Sequence, residues 1–150
     1  MVTLKCILLV EDDPNDIELT LTALAEHKIV NEVVIARDGL EALDYLYCRG
    51  SFAQRPAGNP AVILLDLKMP RLDGIQVLQQ LKADGQMHLI PIVILTSSRE
   101  SQDLEECYRL GVNAYVVKPV RFSEFVEAVK QIGVFWALIN EPPPDSVQGQ

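Results

Sequence analysis

Apolar residues fall along this chain in short solid runs separated by stretches of helical period. Cys6 to Val10 reads as a strand buried on both faces, because a strand with one wet face would alternate, and Ala61 to Leu65, Ile92 to Leu95 and Ala114 to Val117 read as further strands. Glu32 to Ala36 supplies another strand. Between the runs, Ile17, Leu21 and Leu24 recur at the spacing of one helical face, and Asp13-Pro14 just before them has the form of an N-cap followed by proline at the first helical position. Asp16 adds negative charge to that first turn.

Asp38-Gly39-Leu40-Glu41 opens a second helix with an Asp-x-x-Glu capping pattern, and the helix is expected to run to about Arg49. Gly50 to Pro60 is a loop by its glycines and prolines. Asp73-Gly74 leads into a third helix carrying Ile75, Val77, Leu78 and Leu81, and Ser101 to Leu110 forms a fourth, stopped by Gly111. A fifth begins near Ser123 and keeps its apolar pattern to about Ile139. Five strands alternating with five helices predict an α/β fold with a doubly wound five-stranded parallel sheet of (βα)5 topology. Residues 1–139 form the expected domain, and residues 140–150, with Pro142 to Pro144, an extended tail.

Composition narrows the function classes. The longest apolar runs are about six residues, far below the roughly 18 needed to span a bilayer. With no basic stretch leading into a long apolar one at the N-terminus, a soluble cytoplasmic protein is expected. A net charge of −8 and the lack of any Lys/Arg run argue against nucleic-acid binding. Cys6, Cys48 and Cys107 are odd in number and widely spaced, which excludes a disulfide framework and points to reduced thiols. His27 and His88 form no ligand pair.

The polar residues that close the apolar runs carry the chemistry. Glu11-Asp12-Asp13 follows the first run, Asp66 the third, Thr96 the fourth and Lys118 the fifth. In a parallel α/β sheet these strand ends share the ligand-binding edge. Asp13 is accounted for as the cap, which leaves Glu11 and Asp12 for the site. Carboxylates grouped this closely repel, so their pKa values rise unless a cation neutralises them. Hard oxygen donors with room for water and a phosphoryl oxygen suit Mg²⁺, with Mn²⁺ as the alternative. Such a cation beside Asp66, with the Thr96 hydroxyl and the Lys118 ammonium for the remaining oxygens, would let Asp66 take up a phosphoryl group as an aspartyl phosphate. Singly, each residue has a duller explanation: Thr96 as a helix cap, Lys118 as an exposed lysine, the acids as loop residues.

The series Ile7 to Asp13, Leu64 to Pro70 with Asp73-Gly74, Leu95-Thr96-Ser97 and Tyr115 to Pro119 resembles the motif series of response-regulator receiver domains over about residues 4 to 138. The resemblance implies a flavodoxin-like sheet of strand order 2-1-3-4-5. It implies that Asp66 accepts a phosphoryl group from a histidine kinase and that Glu11 and Asp12 hold Mg²⁺ together with Asp66 and the Lys68 backbone carbonyl. Thr96 and Lys118 are then the phosphoryl contacts, and Tyr115 the rotameric switch. The protein would be a phosphoryl-accepting signalling protein that promotes its own phosphorylation and dephosphorylation rather than an enzyme in the usual sense. The long segment before the third strand and the extended C-terminus around Phe135-Trp136 resemble the stand-alone receivers that partner bacterial phytochromes, with no output domain expected. The Lys68 ammonium, two residues after Asp66, could pair with Glu11, guard the site or be solvated.

Rival readings are weaker. An aspartate-based phosphohydrolase would place a second acid where Lys68 stands. A nucleotide or flavin module would want a phosphate-binding loop where Glu11-Asp12-Asp13 repels phosphate. A receiver acting only as a docking adaptor would not need the complete acid, Thr and Lys set. In the fifth helix, Phe125, Val129, Ile132 and Trp136 suffice to pack on the sheet, while Val134, Phe135 and Leu138 form a second apolar face. That face predicts a homodimer, the alternative being that the helix end folds back over its own domain.

Overall fold

In the computed structural model, residues 5–26, 29, 31–97, 101–118 and 123 are described. The elements are β1 (Ile7–Val10), α1 (Pro14–Glu26), β2 (Val33–Ala36), α2 (Gly39–Leu46), β3 (Val62–Leu65), α3 (Gly74–Ala83), β4 (Ile92–Thr96), α4 (Ser101–Arg109) and β5 (Ala114–Val117). Single 3-10 turns lie at Gly50–Phe52 and Met87–Leu89. The five strands pair in the order β2-β1-β3-β4-β5, every pair parallel, as expected of a flavodoxin-like sheet.

Period-two alternation divides the buried side chains between two cores. Leu8, Val10, Ile63, Leu65, Ile92 and Ile94 face α2 and α3 and meet Leu43, Leu46, Val77, Leu78 and Leu81, with Cys107 of α4 in the same cluster. Ile7, Leu9, Val62, Leu64, Val93 and Leu95 face the other way and meet Ile17 and Leu24 of α1. The central strands β1 and β3 are buried at every position, which is why they read as solid runs. Registry carries Val10 level with both Ala36 and Leu65, so the residues after β1 and β3 emerge side by side at one edge.

Local chemistry sets the helix ends. Asp13 caps α1 as expected, its Oδ1 accepting the N–H groups of Asn15 at 2.8 Å and Asp16 at 3.4 Å. The reciprocal capping box occurs at α3 between Asp73 and Gln76. At α2, Asp38 Oδ1 accepts the Glu41 N–H at 2.8 Å, while its other oxygen is engaged by Arg71. Helix α2 stops at Leu46, short of Arg49. Cys48 adopts the left-handed conformation with φ 53°, its N–H bonds the Tyr45 carbonyl at 3.2 Å, and the Arg49 N–H reaches back to the Asp44 carbonyl at 2.9 Å. This is a Schellman ending with cysteine in the place usually held by glycine. Gly111, at φ 88°, follows α4 as expected.

The loop after α2 is anchored rather than free. Phe52 meets the Tyr45 ring edge-on at 5.2 Å, and the Arg55 guanidinium lies 3.9 Å from the centre of the same ring. Cys6, Cys48 and Cys107 are all free thiols, and burial pushes Cys107 up to about 11. Among the described residues no helix is long and apolar enough to cross a membrane. Apart from Ser123, the expected fifth helix, its dimer face of Val134, Phe135 and Leu138, and the tail from 140 to 150 lie outside the described residues.

Candidate functional site

The ends of β1 and β3 deliver the acids. Glu11 extends the β1 ladder, its N–H bonding the Ala36 carbonyl at 2.9 Å, and Asp66 does the same on the other side, its N–H bonding the Val10 carbonyl at 3.0 Å. Both side chains are buried, and Asp12 is the more open member of the group. Oxygens of Glu11, Asp12 and Asp66 all lie within 4.8 Å of one another. The donor set is entirely hard oxygen, so a divalent cation of the magnesium or manganese kind fits the residues present. Glu11, Asp12 and Asp66 would hold such an ion and supply charge to neutralise it.

Lys118 crosses to this group from the end of β5. Its N–H bonds the Thr96 carbonyl at 2.8 Å, which fixes the backbone, and its side chain, only 10% exposed, brings the ammonium into an ion pair with Glu11. It also reaches Asp16 at 2.8 Å and Asp66 at 3.4 Å. Lys118 is therefore a half-buried counter-charge whose side chain is enclosed by the acids, and the exposed-lysine alternative is excluded. Burial pulls the ammonium down, yet hydrogen bonds to Asp16 and Glu11 and the charges of Asp66 and Glu11 outweigh it, leaving its pKa above the ordinary value. Burial pushes Glu11 up to about 7, with the Asp66 charge adding and Lys118 opposing.

The loop after Asp66 is tightly closed. Its Oδ1 faces the Lys68 N–H at 3.4 Å, and the Gly74 N–H bonds the Leu67 carbonyl at 3.0 Å. Thr96 is fully buried and is the last residue of β4, paired with Val117, so it is a strand residue and not a helix cap. Tyr115 is half-buried in β5 opposite Ile94 and packs against the larger core. The Lys68 side chain departs from the pairing with Glu11 considered above: its ammonium meets Asp103 of α4 at 3.3 Å. The Lys118 ammonium occupies Glu11 instead. Lys68 and Asp103 flank a cleft of about 460 Å³ whose lining also includes Asp12, Met69 and Pro70. Sequence reasoning missed Asp16, whose place in the first turn of α1 gave it a sufficient local role. Its spacing from Glu11 at the start of an amphipathic helix was the signal available.

Residues 7–130 match the response regulator receiver domain family. The chain belongs to that family. Among relatives of this receiver, Response regulator Rcp1 of Synechocystis sp. is 38% identical over 132 residues, covering 88% of each chain. The solved bacteriophytochrome response regulator AtBRR is 60% identical with a TM-score of 0.85, over 93% of the receiver and 100% of its own chain. The phosphorylated cyanobacterial phytochrome response regulator RcpA is 41% identical with a TM-score of 0.74, over 89% and 94%. Rcp1 has itself been solved in a Mn²⁺-bound form, which resembles this receiver with a TM-score of 0.74.

Proposed function

We propose that this receiver is a cytoplasmic single-domain response regulator that accepts a phosphoryl group on Asp66 from a histidine kinase of the phytochrome type. The observation that carries the reading is the convergence of Glu11, Asp12 and Asp66 on one point, with Lys118 seated against two of them. Glu11, Asp12, Asp66 and the Lys68 carbonyl would hold Mg²⁺, which neutralises the acids and stabilises charge on the transferring oxygens. An Asp66 carboxylate oxygen forms the new P–O bond while the donor's P–N bond breaks, the leaving imidazole keeping the electron pair and taking its proton from solvent. Lys118 and the Thr96 hydroxyl bind phosphoryl oxygens left over. The 460 Å³ cleft beside Asp12 gives the donor an approach.

Thr96 and Tyr115 are assigned the switch. They lie on adjacent strands, so movement of the Thr96 hydroxyl toward the phosphoryl group makes room for the Tyr115 ring and reweights two packings of one surface. The output is self-association through Val134, Phe135 and Leu138. The phytochrome assignment is supported by the likeness to AtBRR and RcpA. Intact-mass measurement with Mg²⁺ and a small-molecule phosphodonor tests the core of the reading. The wild type should gain one phosphoryl group in a Mg²⁺-dependent way and Asp66→Asn none, while Thr96→Ala should keep the label but lose the phosphorylation-linked change in self-association. Labelling of Asp66→Asn at the wild-type rate and site occupancy would sink it.

A further inference from the structure

Two sets of contacts overlap at the site without coinciding. The converging oxygens belong to Glu11, Asp12 and Asp66. The Lys118 ammonium instead meets Glu11, Asp16 and Asp66. Glu11 and Asp66 are common to both, and Asp16 belongs to the ammonium alone. A divalent cation on the first set would share two of the three carboxylates that balance Lys118, while bringing a second positive centre close to it.

We propose that Asp16 is a positioning residue, the counter-anion that keeps Lys118 seated when a divalent cation takes up Glu11 and Asp66. The inference rests on the metal reading above and extends it to a residue outside the ligand set. The Lys118 side chain is only 10% exposed and has little water to draw on, so with Glu11 and Asp66 shared and Asp16 removed its charge would stand poorly balanced beside the cation. Asp16 is well placed for the task. Its backbone is fixed at the start of α1 by the N–H bond to Asp13, and its side chain is 32% exposed, so it keeps part of its hydration as it holds Lys118. The rival explanation is a first-turn acid that merely suits the helix dipole, and that role does not depend on Lys118.

Calorimetric titration of the full chain with Mg²⁺ separates these, using the wild type, Asp16→Asn, Lys118→Met and the double variant. Asparagine keeps the shape and removes the charge. Asp16→Asn should weaken Mg²⁺ binding about five- to tenfold in the wild-type background and within about twofold once Lys118 is methionine, the gap being the coupling between the two side chains. An equal loss in both backgrounds is a general field effect and overturns the proposal, as does no loss in either. A wild type that takes up no Mg²⁺ overturns the metal reading beneath it, which is a distinguishable failure.

Discussion

Gly74 is where the backbone around Asp66 is most exposed to a small change. A Cβ added there would stand 2.3 Å from the Asp66 carbonyl oxygen and 2.7 Å from the Leu67 Cα, and both obstacles are backbone. Ordinary carbon–oxygen contacts are about 3.3 Å or longer, so Gly74→Ala requires the start of α3 and the end of β3 to part by roughly 1 Å. Overpacking of that kind costs about 1–3 kcal/mol. With a urea slope of about 1–3 kcal/mol per molar, the unfolding midpoint should fall by on the order of 1 M. The chemistry should suffer more than the fold, because the displaced carbonyl belongs to the proposed acceptor and a misplacement of about 1 Å can cost ~100-fold in rate. Gly85 provides the control. An added Cβ there meets nothing within 4 Å, so Gly85→Ala should be neutral or stabilising by about 0.4–1 kcal/mol. Urea unfolding and the rate of phosphoryl uptake, read on both variants, make the comparison. A Gly74→Ala protein with wild-type midpoint and wild-type uptake would refute the reasoning.

Two further outcomes follow from surface features. Burial alone would raise the Asp38 carboxyl, but the Glu41 N–H and the Arg71 guanidinium bring it below its ordinary 3.8. A depressed carboxylate contributes stability that is full above the ordinary pKa and fades as pH falls through the lower folded value. Because the Arg71 side chain is 59% exposed, its part of that contribution is less than about 1 kcal/mol. Arg71→Ala should therefore lose a fraction of a kcal/mol at neutral pH, and the gap to the wild type should close as pH falls through the lowered folded value, as unfolding curves would show; a gap independent of pH would argue against the pair. For the proposed dimer, sedimentation of the wild type and Phe135→Asp at micromolar concentration, with and without a phosphodonor, should show association in the former only. Identical monomers throughout would remove it.

What was legible in the sequence is what short-range physics determines. Solid apolar runs marked β1 and β3 because both faces of those strands are covered, and the acids stood out because they end such runs. The cap at Asp13 was readable from its neighbours for the same reason. Helix α2 was read too long because Gly50 looked like the natural stop, whereas Cys48 takes the left-handed position and closes the helix earlier. Nothing in a cysteine side chain announces that. The partners of Lys68 and of the second Asp38 oxygen are distant in sequence, Asp103 on α4 and Arg71 in the loop after β3, and no local pattern connects them. Asp16 was hidden differently: a complete local explanation masked a contact made across 102 positions of chain.

The site is hung from strands of unequal security. Glu11 and Asp66 follow β1 and β3, each of which is hydrogen-bonded on both sides and buried throughout, so their amides belong with the last protons to exchange. Lys118 follows β5, which among the described residues is at the rim of the sheet with a ladder on one side only. Opening a rim strand costs less than opening a central one. The anionic half of the site thus hangs from the two central strands, and the cationic half from the rim.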